Sequence, residues 1–305
     1  MVTTGKKKML FIVNPCSGRA SIKSHLLDAI DHFTSAGFLV TVYVTQRAGE
    51  VADVVASLGQ GYDRIVASGG DGTINETLNG LMRLPTQIPL GIIPAGTTND
   101  YAYSLGISSS VVEAAEIAVS DNLFAIDVGS FNGRYFTYVA AFGLFTEITY
   151  ETSQDLKNVL GVAAYALEGA RRILDIKTYH ISLEYDGGFI DDEVIIGLFS
   201  NSVSVAGFRT AFDGAKLDDG LLEITLIRPP KTLADIQAII NILLDFERLN
   251  TVESDFLTVV TTKKARISCN EPLKWTVDGE SGGVFLTSDI ENVHHAAIVV
   301  TGERK

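Results

Sequence analysis

From Lys8 to Asp121 short apolar runs alternate with stretches of helical periodicity, and this alternation admits few folds. KMLFIVNP, FLVTVYVT, YDRIVAS and PLGIIP read as strands; IKSHLLDAIDHFTSAG, GEVADVVASLG, TINETLNGLM, TNDYAYSLG and SSVVEAAEIAVSD read as helices. The first helix sets Leu26, Leu27, Ile30 and Phe33 at helical spacing and stops at Gly37. Strand–helix units of this length close only through right-handed crossovers, which gives a parallel sheet covered on both faces, Rossmann-like in three layers. Ligands on such sheets lie beyond the carboxyl ends of the strands.

After Asp127 the pattern changes. FAIDVGSF and RYFTYVAAFG flank Asn132-Gly133, and HISLEYDGGFIDDEVIIGLFS pivots on Gly187-Gly188, so both read as hairpins. GLLEITLIRP, DFLTVVTTKKARISC and PLKWTVDGE add strands, and this part reads as an antiparallel sandwich with inserted helices. One helix is expected over about Ser153–Leu174, with Leu156, Val159, Leu160, Ala163, Leu167 and Ala170 on one stripe. A second opens at Thr232, with Asp235 completing a capping box, and runs to about Arg248. The expected domains are 1–128 (α/β) and 129–293 (β-sandwich). The closing strand HHAAIVVTG could return to either one, and residues 294–305 could complete the first. His294-His295 is expected in an exposed loop, because adjacent side chains diverge in a strand.

Three glycine turns lead from strands of the first half toward helix starts: Asn14-Pro15-Cys16-Ser17-Gly18-Arg19, Gly69-Gly70-Asp71-Gly72-Thr73 running on to Ile74, Asn75 and Glu76, and Pro94-Ala95-Gly96-Thr97-Thr98-Asn99-Asp100. Unpaired amides and the helix dipole make such starts anion sites. One alone would be turn geometry; three on one sheet edge point to a phosphate-rich ligand. Neither the P-loop pattern nor a third fingerprint glycine is present. Asp71 stands inside the second loop, where a carboxylate would repel phosphate unless a divalent cation lay between. Mg²⁺ bridges carboxylates to phosphates in this way. Asp71 is therefore expected to face Mg²⁺, directly or through water, with Asp100 and Asp127 completing the acidic cluster.

GGDGTINE followed by PAGTTND resembles the diacylglycerol kinase catalytic-domain family of lipid kinases, and the soluble two-domain bacterial diacylglycerol kinases in particular. NPCSG, AIDVG, AKLDDGLLEI and WTVDGE extend the likeness over nearly the whole chain. The resemblance implies ATP-dependent phosphorylation of a lipid hydroxyl, diacylglycerol giving phosphatidate, with ATP in a cleft between an α/β domain and a β-sandwich. Carried over motif by motif, Asn14, Pro15, Cys16, Ser17, Gly18, Thr45, Gly70, Asp71, Gly72, Thr73, Ile74, Asn75, Glu76 and Thr97 would contact the nucleotide. Arg19 stands where the family often has lysine. Glu280 would take the proton of the acceptor hydroxyl, with Asp278 as the other candidate. A second Mg²⁺ site is implied at Asp219 with the carbonyls of Lys216 and Leu221.

The rival readings are a kinase for phosphatidylglycerol or a sphingoid base, a NAD kinase on the strength of GGDGT, and a nucleotide or lipid sensor without transfer. A net charge of −13 disfavours nucleic acid as a partner and limits membrane contact to a transient, peripheral kind. Two cysteines suit a reducing cytosol. No run approaches the roughly 18–20 apolar residues of a membrane span. The apolar run after Lys6-Lys7-Lys8 is shorter than the roughly 7–15 residues of a signal core. A cytoplasmic protein is expected, and exposed sandwich edges could pair two copies as a homodimer.

Overall fold

A computed structural model describes residues 6–17, 22–97, 99–143, 177–201, 204–205, 208–209, 217–244 and 255–302. The chain divides into two compact units, Met1–Val128 with Val293–Lys305, and Gly129–Asn292. The first is α/β with parallel strands; the second is β-sandwich-like.

The first unit contains β1 (Lys7–Val13), α1 (Ile22–Ser35), β2 (Phe38–Val44), α2 (Val51–Leu58), β3 (Arg64–Gly69), α3 (Asp71–Leu81), β4 (Leu90–Pro94), α4 (Asp100–Ser104), α5 (Val111–Val119) and the start of β5 (Leu123–Phe131). β3 lies between β1 and β4, β1 between β2 and β3, all parallel. The C-terminal strand joins this sheet, pairing parallel with β4 at Val299–Leu90. β1 and β3 are buried along Met9–Val13 and Ile65–Ala67, which is why they read as unbroken apolar runs rather than alternations. β2 lies at the edge and leaves Leu39, Val42 and Val44 exposed.

Helices seal the sheet with small and branched residues: Ala29 and Phe33 of α1, Val55 of α2, Leu78 of α3, Ala114, Ala115 and Ala118 of α5. Phe33 meets Phe11 edge-on at 5.2 Å. Burying one such large side chain contributes about 1.5–3 kcal/mol. Arg64 is buried and donates from Nη1 to the Ala118 carbonyl at 2.5 Å, where it closes the end of α5.

The second unit continues with β6 (Arg134–Phe136), β7 (Val139–Gly143), β8 (Tyr179–Tyr185), β9 (Gly188–Val194), β10 (Ile196–Ser200), β11 (Ser204–Val205), β12 (Phe208–Arg209), β13 (Leu222–Ile227), α6 (Leu233–Leu244), β14 (Leu257–Thr262), β15 (Lys264–Val277) and β16 (Glu280–Val300). The ladder β14-β13-β10-β7-β15 is antiparallel throughout. β15 changes partners along its length: Ala265–Cys269 pair with β8, and Trp275–Val277 pair with β7. A register shift between Ser268 and Leu273 lies between these halves. An irregularity of this kind bends a strand, so that it serves two layers over one core. Trp275 fills that core against Phe131, Phe142 and Phe199.

Two hairpins turn on a left-handed pair, Asn132-Gly133 (φ 48° and 83°) and Asp278-Gly279 (φ 48° and 81°). The third turns on Asp186-Gly187 rather than Gly187-Gly188, since Tyr185 pairs with Gly188. At α6 the Thr232 hydroxyl accepts from the Asp235 amide (3.1 Å) while Asp235 Oδ2 accepts from the Thr232 amide (2.8 Å), the expected reciprocal cap. The helix expected over 153–174 lies outside the described residues, as do Gly18, Arg19 and Lys216. Among the described residues no helix is long and apolar enough to cross a membrane.

Candidate active site

The ends of β1, β3 and β4 in the first unit are tied together by short bonds between their loops. The Asn14 amide donates to the Ser68 carbonyl (2.9 Å), and its Nδ2 donates to Thr73 Oγ1 (3.0 Å). Asn14 Oδ1 accepts from the Cys16 amide (3.0 Å), which curls the first loop. Ser17 Oγ accepts from the Gly70 amide (3.3 Å), joining the first loop to the second. The Ala95 amide donates to the Gly69 carbonyl (2.8 Å), joining the second to the third.

Glycine is required by two of these approaches. A Cβ on Gly96 would stand 2.6 Å from Gly70 Cα and 2.8 Å from Asn99 Oδ1. A Cβ on Gly69 would stand 2.4 Å from Thr73 Oγ1. Gly72, by contrast, has nothing within 4 Å of its Cβ position and is exposed. It sits on the first turn of α3, whose N-cap residue, Gly70, has no side chain to cap it. First-turn amides lack helical acceptors, so this end is open to an anion.

Several expected nucleotide contacts have other engagements. The Ile74 side chain is core and its amide is used within α3, bonding the Gly70 carbonyl at 3.1 Å. Asn75 is buried, and its carbonyl and Oδ1 both accept from Asn79 Nδ2 (3.0 Å each). Glu76 faces the start of α2: its Oε1 accepts from the Gly49 amide (3.2 Å) and its Oε2 from the Val51 amide (3.1 Å). A carboxylate there complements the positive end of α2. Thr45 is buried, and its amide donates to the Val13 carbonyl (3.0 Å). Pro15 and Ser17 are half-buried, while Cys16 and Thr97 are exposed.

Asn99 belongs to this constellation although it was not among the expected contacts. It adopts φ 56°, its Oδ1 accepts from the Gly96 amide (2.8 Å), and its Nδ2 donates to the Gly96 carbonyl (3.1 Å). The signal was present in the sequence, since asparagine is among the few residues that tolerate a left-handed backbone.

Asp71 and Asp127 have separate surroundings. Asp71 Oδ1 accepts from the Tyr101 amide (3.3 Å) in the first turn of α4, linking the second and third loops. Asp100 opens α4. Asp127 has partners other than those expected: its Oδ1 lies 2.8 Å from His294 Nδ1 and accepts from the His295 amide at 2.8 Å. Among the described residues, a group with metal-ligating potential is Asp127 with His294 and His295. His294 and His295 are exposed but lie within β16, not in a loop. His295 takes φ 49°, which breaks the alternation and stacks the two rings at 3.7 Å.

In the second unit Asp278 and Glu280 differ sharply. Asp278 is the first residue of its hairpin turn, and its carboxylate is a saturated acceptor. Oδ2 accepts from the Thr137 amide (2.7 Å) and hydroxyl (3.0 Å); Oδ1 accepts from the amides of Tyr138 (2.9 Å) and Val139 (3.0 Å). Burial pushes its pKa up, while the amides of Thr137, Val139 and Tyr138 and the Thr137 hydroxyl pull it down. That engagement makes it an anchor at the start of β7. Glu280 is solvent-exposed and paired with Arg134 Nη2 at 2.7 Å. The turn at Gly279 thus leaves the two carboxylates in different surroundings.

At the implied second metal site, Asp219 Oδ1 accepts from the Leu221 amide (3.0 Å) and the Leu221 carbonyl accepts from Asn292 Nδ2 (3.0 Å). A carbonyl and a carboxylate each keep further lone pairs. Glu223 is buried nearby, and burial, with Asp219's charge adding, raises its pKa to about 7.

Comparison with known proteins agrees with this architecture. Residues 8–131 match the family model described as the diacylglycerol kinase catalytic domain. Residues 142–299 match that of the YegS C-terminal NAD kinase beta sandwich-like domain. A diacylglycerol kinase of Bacillus subtilis (strain 168) is 33% identical over 303 residues, covering 98% of each chain. One from Staphylococcus saprophyticus is 32% identical over 302 residues, covering 94% of this chain and 98% of its own. A crystal structure from Bacillus anthracis str. Sterne, described as a candidate diacylglycerol kinase, superposes with a TM-score of 0.81 at 26% identity, covering 99% of each chain. The chain belongs to the diacylglycerol kinase catalytic-domain family of lipid kinases.

Proposed function

We propose that this protein transfers the γ-phosphoryl group of ATP to the hydroxyl of diacylglycerol, giving phosphatidate and ADP. The observation that carries the reading is the uncapped first turn of α3, with exposed Gly72 beside Asp71 and the neighbouring loops locked by Asn14, Ser17 and Asn99. Chain relatives named diacylglycerol kinase supply the acceptor class.

In this reading Gly72 and Thr73 offer amides to the phosphates, Gly70 gives its own to Ser17, and Asn14 to Ser17 and Thr97 border them. Residues Ile74 to Glu76 and Thr45 shape the loops from behind. Asp71, with Asp100, would hold Mg²⁺, since carboxylate oxygens suit a hard cation. The ion would offset phosphate charge and orient the leaving group. Asp219 with the carbonyls of Lys216 and Leu221 is kept as the second Mg²⁺ site. The acceptor oxygen forms the new bond to γ-phosphorus as the bond to ADP breaks, and Glu280 takes the hydroxyl proton. Contact with the membrane that presents the lipid is peripheral.

The test is transfer from γ-labelled ATP to diacylglycerol in mixed micelles, with Mg²⁺ and then with excess EDTA. Metal-dependent phosphatidate, lost in Asp71→Ala while the fold persists, supports the scheme. Near-native turnover in Asp71→Ala would refute the metal role. Transfer to phosphatidylglycerol, a sphingoid base or NAD in place of diacylglycerol would reassign the acceptor.

A further inference from the structure

We propose that Asp127, His294 and His295 form a binding site for a borderline divalent transition ion of the Zn²⁺ type, separate from any Mg²⁺ held with ATP. One ligand atom from each residue lies within 4.8 Å of the others. Asp127 Oδ1 and His294 Nδ1 stand 2.8 Å apart. Two ligands each about 2.0–2.1 Å from Zn²⁺, at angles between square and tetrahedral, are about 2.9–3.4 Å apart. The pair is thus within a few tenths of an ångström of a chelating geometry, with a proton where the ion would sit.

The second ring is brought in by backbone conformation. Successive side chains of a strand point to opposite faces. His295 departs from this with φ 49°, which sets its ring against that of His294; stacked rings aim their nitrogen lone pairs side by side, so an ion held by both requires one ring to turn toward Asp127. The departure is held from both sides: the His295 amide donates to Asp127 Oδ1 (2.8 Å), and its carbonyl accepts from Gln87 Nε2 (2.9 Å). The carboxylate is buried and His294 is half exposed, with side-chain exposures of 0% and 52%. An ion can therefore enter from the histidine side while a buried charge gains a cationic partner.

The donor set decides the ion class. Two imidazoles and one carboxylate favour Zn²⁺, Co²⁺ or Ni²⁺ over Mg²⁺ and Ca²⁺, which prefer all-oxygen ligands. Three protein ligands leave a position for water. The bound ion would cross-link β5 to the C-terminal strand within the first unit.

The experiment is calorimetric titration of the metal-stripped full-length protein with Zn²⁺, alongside His294→Gln and His295→Asn. Asparagine tolerates the positive φ, so the second variant keeps the strand's course. Co²⁺ titration, read by its visible absorption band, reports the coordination directly. The expected result is one ion per chain, undisturbed by excess Mg²⁺, with affinity falling at least tenfold in each variant and the thermal midpoint rising with Zn²⁺ only in the parent. Absence of binding to the parent, or unchanged affinity in both variants, overturns the proposal. Mg²⁺-dependent phosphoryl transfer is measured in parallel without Zn²⁺. It does not depend on this site, so the kinase reading stands or falls separately.

Discussion

Removal of the Asp278 carboxylate should unfold the second unit before it touches chemistry, and the magnitude follows from its partners. In Asp278→Ala the amides of Thr137, Tyr138 and Val139 lose their acceptor together with the Thr137 hydroxyl. Each buried donor left unpaired costs about 1–3 kcal/mol. Water reaching part of the site reduces the sum, and about 3–5 kcal/mol is expected, a large share of the roughly 5–15 kcal/mol that holds a domain together. Asp278→Asn should fall between, because it keeps one acceptor oxygen and tolerates φ 48°, but turns an NH₂ toward donors. Glu280→Gln should unfold within about 1 kcal/mol of the parent, since an exposed ion pair contributes little, yet lose phosphoryl transfer. Trp275 is the chain's one tryptophan and lies buried in this unit, so urea unfolding followed by its fluorescence reads the right transition. The reasoning is refuted if Asp278→Ala keeps the parental midpoint but loses turnover, for then Asp278 is the base.

Gly96→Ala should cost about 1–3 kcal/mol by overpacking, because its Cβ would strike Gly70 Cα; Gly72→Ala should leave stability nearly unchanged and weaken ATP binding, a contrast that thermal unfolding and ATP titration would read. Glu223 sets a pH dependence. The unfolded chain releases its proton near 4.5 and the folded chain near 7, a gap of about 2.5 pH units. Between those values the folded state holds more protons, so stability falls as pH rises, by up to about 3 kcal/mol once above pH 7. Glu223→Gln should therefore be the more stable protein at pH 8 and converge with the parent below pH 4.5, as unfolding at both pH values would show; equal stability at pH 8 would contradict the shift.

Local patterns were legible wherever one residue type answers one backbone demand. The parallel α/β half follows from β1 and β3, whose unbroken apolar runs suit only a doubly covered sheet. Asn132-Gly133 and Asp278-Gly279 announced their turns because each supplies two left-handed residues. Asp71 in its loop could be singled out because a carboxylate is an unexpected companion of glycine-turn amides at a helix start. What the sequence could not yield were partnerships between distant residues. Nothing near Glu76 in the sequence announces that the amides of Gly49 and Val51, at the start of α2, bond its carboxylate. Asp278 and Glu280 look interchangeable two residues apart, and only the packing of residues 137–139 against the turn gives them different surroundings. Asp127 meets His294 across 167 residues, and a single positive φ at His295 overrides the alternation that sequence reasoning relies on. Periodicity and turn chemistry are properties of short segments, written in their own residues; the state of a carboxylate depends on which donors surround it, and those donors are assembled only when the chain has folded.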